Sequence, residues 1–215
     1  MTNPDLVLFH FPGACSRVSV CALEMAGLDY RLELINLASG DQGKPEYLAV
    51  SPLGKAPALL IDGASLVENA AILSLIHALR PAAGVFPADP TPLEHAEAIG
   101  GMSFCGGTLH PLIRGVANPA RLTNGEVGPV REKSRELAAK SLAYAERRIA
   151  GRDWWLGRPS IVDVYLDWAF SVLRKTDFDL SPYPVIDSLA KRLTAWPAYA
   201  RMLEIEQQSR ERLGL

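Results

Sequence analysis

The chain has no positive charge to spare. Its 22 Lys and Arg are outnumbered by 24 Asp and Glu, giving a formal net charge of −2. It therefore lacks the basic stripe with which a protein grips a polyanion, and nucleic acid is not expected as a partner. Cysteine is scarce as well. The three cysteines are scattered, with no CxxC pair and no Cys/His zinc spacing, so neither a disulfide framework nor a metal site is expected. That usage suits a reducing, cytoplasmic setting. Long apolar runs are missing. The longest uncharged stretch, between Glu97 and Arg114, is too short to cross a bilayer and is diluted by glycines and a histidine. The opening MTNPDLVLFHFPG has no basic region and too short an apolar run for a signal peptide, so no membrane association is expected. Neither GxSxG nor HExxH occurs, which removes the commonest serine-hydrolase and metalloprotease patterns.

What remains is ordinary globular material. The 215 residues are 48% hydrophobic and 21% charged, enough for one large domain or two small ones. LVLFHF (6–11) reads as a strand ended by Pro12-Gly13. Residues 16–26 read as a helix with Ser16 as its N-cap and Gly27 as its stop. YRLELIN (30–36) alternates as a strand, and a helix between two strands predicts a parallel βαβ unit. After the polar loop 38–44, PEYLAV (45–50) forms a short helix with Pro45 at its first position. ALLID and SLV around Gly63 predict a hairpin, and 68–79 a helix with Ile72, Leu75, Ile76 and Leu79 on its apolar side. The order is β-α-β-α-β-β-α. Four prolines between residues 81 and 92 then mark a linker. Beyond it only helical patterns follow, over 93–118, 127–150, 160–176, 186–195 and 197–212. Ser160 and Asp163 have capping-box spacing. The expected organisation is an α/β domain over 1–81, a linker over 82–92 and an all-helical domain over 93–215.

Three corners could carry chemistry. In HFPGACSRV, Cys15 sits where a strand stops and a helix starts. Unpaired amides of a helix N-terminus, with Arg17 nearby, favour the reactive thiolate; the alternative is an inert, buried thiol. Cys21 and Cys105 read as core. In PLGKAPALL, Ala56-Pro57 precedes a strand. A cis bond there would leave the Ala56 backbone free to pair with a peptide-like ligand, whereas a trans bond would make it an ordinary turn. In SLVENAAIL, Glu68 and Asn69 open a helix. They can hold the amine and carboxylate of an α-amino acid, or simply cap the helix.

Read together, these motifs resemble the cytosolic glutathione S-transferases. FPGACS is similar to the SPGACS signature of the bacterial beta class, SPLGKAPAL to the segment around the family's cis-proline, LVENAAIL to its acidic helix start, and RPSIVDVYL to its capping-box segment. The similarity spans the chain. It implies a thioredoxin-like α/β N-terminal domain that binds glutathione as co-substrate, followed by an all-α domain that takes a hydrophobic electrophile, usually in a homodimer. By the same resemblance Ala56, before Pro57, would pair with the cysteinyl backbone of glutathione. Glu68 and Asn69 would hold its γ-glutamyl end, Lys44 and Lys55 its glycyl carboxylate, and Cys15 would lie beside its sulfur, with Ser16 as an alternative hydroxyl donor.

Two positions depart from the family pattern. His10 stands where many members have tyrosine, and Asn69 where serine or glycine is commoner. His10 is either a site residue or a structural histidine. In the helical domain Gly100, Gly101, Gly106 and Gly107 together cost on the order of 4 kcal/mol of helix propensity, which something must offset. Gly100, Ser103, Gly107 and His110 share one face. That face serves either close helix packing, as in a dimer, or an acceptor groove ending at His110. TLHPL is similar to a beta-class segment whose histidine lines the active site, and Pro111 should bend the helix there. The cluster Trp154, Trp155, Tyr165 and Trp168 reads as core, and the charged run 131–148 as a solvated face. The expected activity is thiolate transfer in detoxification. The alternatives are disulfide exchange through Cys15 and a non-enzymatic ligand- or protein-binding member of the fold.

Overall fold

The computed structural model describes residues 4–215. Strand β1 (Leu6–His10) leads through a turn into α1 (Ser16–Ala26), which Gly27 stops in the left-handed conformation with φ of 57°. Strand β2 (Arg31–Leu34) returns parallel to β1, with His10 opposite Leu34. The helix between them forces this crossover, as the sequence predicts. The short helix α2 (Pro45–Leu48) precedes β3 (Ala58–Ile61) and β4 (Ala64–Val67), a hairpin turned by Asp62 and Gly63, both at positive φ. Strand order is β2-β1-β3-β4, with β3 antiparallel to both neighbours. Helix α3 (Asn69–Leu79) follows. Leu8, Val18, Cys21, Leu23, Leu59, Ile72 and Ile76 are fully buried in this unit, so Cys21 is core, as expected.

The unit that contains the sheet runs to Ala88 and also includes Thr194–Leu215, with α9 (Pro197–Leu213). This departs from the sequence reading, which placed 93–215 together. Side chains of α9 account for it: Arg201 pairs with Glu24 at 3.5 Å, and Glu206 accepts hydrogen bonds from Gly13 at 3.0 Å. Such partners lie far apart in sequence and leave no local signature.

The second unit, Asp89–Leu193, is helical. It contains α4 (Pro92–Ser103), α5 (His110–Ala117), α6 (Val127–Ile149), α7 (Ile161–Leu173) and α8 (Pro184–Leu193). The predicted helix 93–118 is interrupted by a π-helical turn, Phe104–Leu109. Pro111 has no N–H to give, and its ring crowds the Gly107 carbonyl, so the helix widens just before it. The four glycines divide into two kinds. A Cβ on Gly101 would lie 2.6 Å from Trp155 Nε1, and one on Gly106 would lie 3.4 Å from the Tyr165 hydroxyl. Gly100 and Gly107 face open space.

Helix α7 starts as predicted. Asp163 accepts from the Ser160 N–H at 2.9 Å and the Trp155 N–H at 2.7 Å. Burial nevertheless raises its pKa to about 6, although these hydrogen bonds pull the other way. Trp155, Tyr165 and Trp168 are buried, while Trp154 is half-buried under Arg192. Cys105 is fully buried, and burial pushes its thiol pKa up, which suits core rather than chemistry. On α6, Lys133, Glu136 and Lys140 pair on the exposed face. Among the described residues, no helix is long and apolar enough to cross a membrane, and no group of three or more His, Cys, Asp or Glu could hold a metal ion.

Candidate functional site

The three sequence corners meet in the first unit. Gly13 adopts φ of 85°, a conformation that favours glycine, and Ala14 N–H closes the turn on the Phe11 carbonyl at 3.0 Å. This delivers Cys15 to the N-terminus of α1. Its Sγ lies 3.5 Å from the Ala56 carbonyl oxygen, and the Ala56–Pro57 bond is cis. Asn69 Nδ2 donates to the Cys15 carbonyl at 3.0 Å. A thiol at a helix N-terminus, a pre-proline backbone and an acidic helix start therefore share one corner.

Each predicted residue can now be placed. Glu68 is exposed and has a positive φ of 72°, a conformation that costs a non-glycine residue about 1–3 kcal/mol and concentrates at functional sites. Asn69 is buried, and its amide is engaged inside the fold: Ser19 Oγ donates to Oδ1 at 2.7 Å while Nδ2 holds Cys15. Its side chain is a brace between α1 and α3. Lys44 is exposed and ion-paired with Asp41 at 2.6 Å, the pair lowering the Asp41 pKa and raising that of Lys44. Lys55 is exposed, and no described acidic side chain pairs with it. Its carbonyl accepts from Tyr47 Oη at 2.7 Å and Ser51 Oγ at 2.8 Å. Those two hydroxyls shape the loop before Pro57, and the sequence reading did not single them out. Burial raises the Tyr47 pKa to about 12, so its hydroxyl stays protonated and able to donate.

One expectation at the turn needs correction. Ser16 is not the N-cap of α1; Cys15 takes that position, with no side-chain cap. The Ser16 hydroxyl lies 2.9 Å from His10 Nδ1 and 3.3 Å from both the N–H and the carbonyl of Phe11. His10 is fully buried, and its Nε2 lies 3.2 Å from Glu206 Oε1, within ion-pair range though not aligned as a hydrogen bond. His10 and Ser16 thus join Glu206 in an internal polar chain behind the turn. Burial tends to raise the Glu206 pKa. His10, the Arg17 charge and the Gly13 N–H outweigh it, so the carboxyl sits below its ordinary value. The Arg17 guanidinium lies over the Tyr199 ring at 6.0 Å, where it serves Glu206. Glu206 has no recognisable motif around it and could not be found from sequence.

In the second unit His110 is half-buried. Its ring packs edge-on against Trp168 at 4.5 Å; Nδ1 lies 3.4 Å from Tyr165 Oη, and Arg114 Nε donates to Nε2 at 3.3 Å. Gly100, Ser103 and Gly107 are exposed.

The chain is similar to known proteins over most of its length. The family model of the glutathione S-transferase N-terminal domain matches residues 4–77. The chain is 31% identical over 183 residues to a maleylacetoacetate isomerase of Pseudomonas aeruginosa, covering 83% of this chain and 85% of that one. It is 28% identical to the glutathione S-transferase GST-4.5 of Xanthomonas campestris, over 87% of this chain and 92% of the relative. Among solved structures, a glutathione transferase homologue from Sulfitobacter with bound glutathione superposes with a TM-score of 0.84 at 28% identity. The match covers 93% of this chain and 97% of that one.

Proposed function

The chain belongs to the glutathione S-transferase family, and from that premise we propose that it binds glutathione in the corner of Cys15, Ala56 and Glu68 and presents the thiolate to a hydrophobic electrophile. The observation that carries this reading is the convergence itself: Cys15 Sγ at 3.5 Å from the Ala56 carbonyl, with its own carbonyl tied to the start of α3. In this reading the Ala56 backbone pairs with the cysteinyl residue, exposed Glu68 meets the γ-glutamyl amine, and Lys55 meets the glycyl carboxylate. Lys44, already paired with Asp41, plays a lesser part. Cys15 lies beside the sulfur, where the positive end of α1 favours thiolate. The thiol proton leaves to solvent. The thiolate then attacks the electrophilic carbon and a leaving group departs with its bonding pair, or the thiolate adds across a double bond, breaking the π bond, and the resulting carbanion takes a proton from solvent. His110 and the open face of Gly100, Ser103 and Gly107 belong to the acceptor side. A cytoplasmic homodimer in detoxification, close to the bacterial beta class, completes the proposal.

A second reading is favoured by the maleylacetoacetate isomerase relatives. The same thiolate adds reversibly to a double bond, rotation follows, and elimination returns glutathione unchanged. Disulfide exchange through Cys15 would instead pass through a mixed disulfide. A non-enzymatic member of the fold would fit the departures at His10 and Asn69, yet both side chains make internal hydrogen bonds around the Cys15 turn.

The test is kinetic. Wild type, Cys15→Ala and Glu68→Ala are assayed with glutathione and three probes: an activated aryl halide, a glutathione mixed disulfide and a cis-enone acid. Glu68→Ala should raise the KM for glutathione with every probe that turns over. Loss of disulfide turnover alone in Cys15→Ala assigns the exchange reading, and no turnover of any probe by wild type rejects the enzyme.

A further inference from the structure

We infer that Arg114 is a positioning residue that holds His110 uncharged, with its single ring proton on Nδ1. Arginine only donates hydrogen bonds and keeps its charge at any physiological pH. Arg114 Nε donates to His110 Nε2 at 3.3 Å. That nitrogen must therefore present its lone pair, and the proton of the neutral ring must sit on Nδ1. Nδ1 in turn lies 3.4 Å from Tyr165 Oη, a long contact in which the ring gives its proton to the phenol oxygen. The opposite tautomer would aim Nε2–H at a donor. The imidazolium would do the same and add a second positive charge beside Arg114.

Packing fixes the arrangement. The His110 ring stands edge-on to Trp168 at 4.5 Å, and the Arg114 guanidinium lies over the same indole at 5.8 Å. Tyr165 also packs on Trp168, at 5.6 Å. Trp168 and Tyr165 are buried, so neither ring can turn without disturbing the interior of this unit. Arg114 is one helical turn after His110 on α5, the spacing that places two side chains on one face. With its ring nitrogens facing Arg114 and Tyr165, His110 is an ordered neutral ring whose lone pair on Nε2 is engaged by Arg114. This assignment rests on the acceptor-side reading of His110 for its role in catalysis, but not for the tautomer.

The test separates the two. Nitrogen-15 imidazole spectra are recorded at neutral pH for wild type, Arg114→Met and Arg114→Lys, with the four histidines assigned through His110→Gln. Wild type should show His110 as the Nδ1–H form, the less populated tautomer of free imidazole. Removing the donor in Arg114→Met should change the tautomer ratio toward Nε2–H by roughly tenfold or more, the scale of one charge-assisted hydrogen bond. Arg114→Lys, which also only donates, should keep Nδ1–H. In transfer to an activated aryl halide, Arg114→Met should lower kcat with the KM for glutathione unchanged, and Arg114→Lys should recover part of it. A wild-type His110 that is protonated or in the Nε2–H form overturns the inference, as does an unmoved tautomer in a folded Arg114→Met. An Nδ1–H ring in a protein that turns over no electrophile upholds the tautomer and counts against the transferase reading instead.

Discussion

Replacing Glu206 with glutamine should loosen the turn that carries Cys15, although the two lie on opposite ends of the chain. The Glu206 carboxylate takes the Gly13 N–H on both oxygens at 3.0 Å and faces His10 Nε2 at 3.2 Å. It is nearly fully buried, with Arg17 close enough to lower its pKa. Glutamine keeps one acceptor and turns the other oxygen into an amide that faces donors. Hydrogen bonds to a charged group contribute about 1.5–3 kcal/mol each, and removing one partner of a buried ion pair costs about 3–5 kcal/mol. Glu206→Gln should therefore cost about 2–4 kcal/mol at neutral pH. The pH dependence has a definite sign. A carboxyl whose pKa is lower in the folded state contributes stability above its unfolded value of 4.5, and that contribution is lost as pH falls through the folded value. Urea unfolding of wild type and variant should thus differ most at neutral pH and converge below about pH 4.5. A cost under about 0.5 kcal/mol, or one that does not shrink in acid, would refute the view that Glu206 anchors the turn.

Other outcomes follow from the same contacts. Gly101→Ala should destabilise by about 1–3 kcal/mol through the Trp155 and Val162 side chains, whereas Gly100→Ala, facing open space, should stabilise by about 0.5–1 kcal/mol; thermal melts of the two variants give opposite signs. Asp163 behaves opposite to Glu206, because its folded pKa is raised from 3.8 to about 6. Its contribution is full below pH 4 and declines as pH rises to about 6, by at most about 3 kcal/mol. Asp163→Asn should remove that slope and, by mismatching the Trp155 and Ser160 N–H donors, cost about 1–3 kcal/mol at neutral pH in urea unfolding. Asn69→Ala removes the bond to the Cys15 carbonyl and should cost about 1–3 kcal/mol, with reactivity of Cys15 toward a thiol reagent changed more than that of Cys105.

The elements that the sequence announced are those whose causes are local. Gly27 stops α1, Asp62 and Gly63 turn the β3–β4 hairpin, Pro45 opens α2, and Ser160 with Asp163 starts α7, each within a few residues of its effect. The three candidate corners are likewise short local motifs. What was not legible depends on partners far along the chain. Ser16 looks like an N-cap until His10 and Phe11 claim its hydroxyl. The Asn69 amide bonds Ser19 and Cys15, 50 and 54 positions earlier. Helix α9 looks like part of the helical domain until Glu206 reaches Gly13, 193 positions earlier. The π-helical turn is an intermediate case: Pro111 signalled a bend, but the widening extends over the six residues before His110.

The proposed binding of glutathione in the corner of Cys15, Ala56 and Glu68 is tested by a calorimetric titration of the reduced protein with glutathione, repeated on Glu68→Ala. Saturable one-to-one binding by wild type and weakened binding by the variant are expected. No heat at glutathione concentrations of several millimolar, or binding that ignores Glu68, would contradict it.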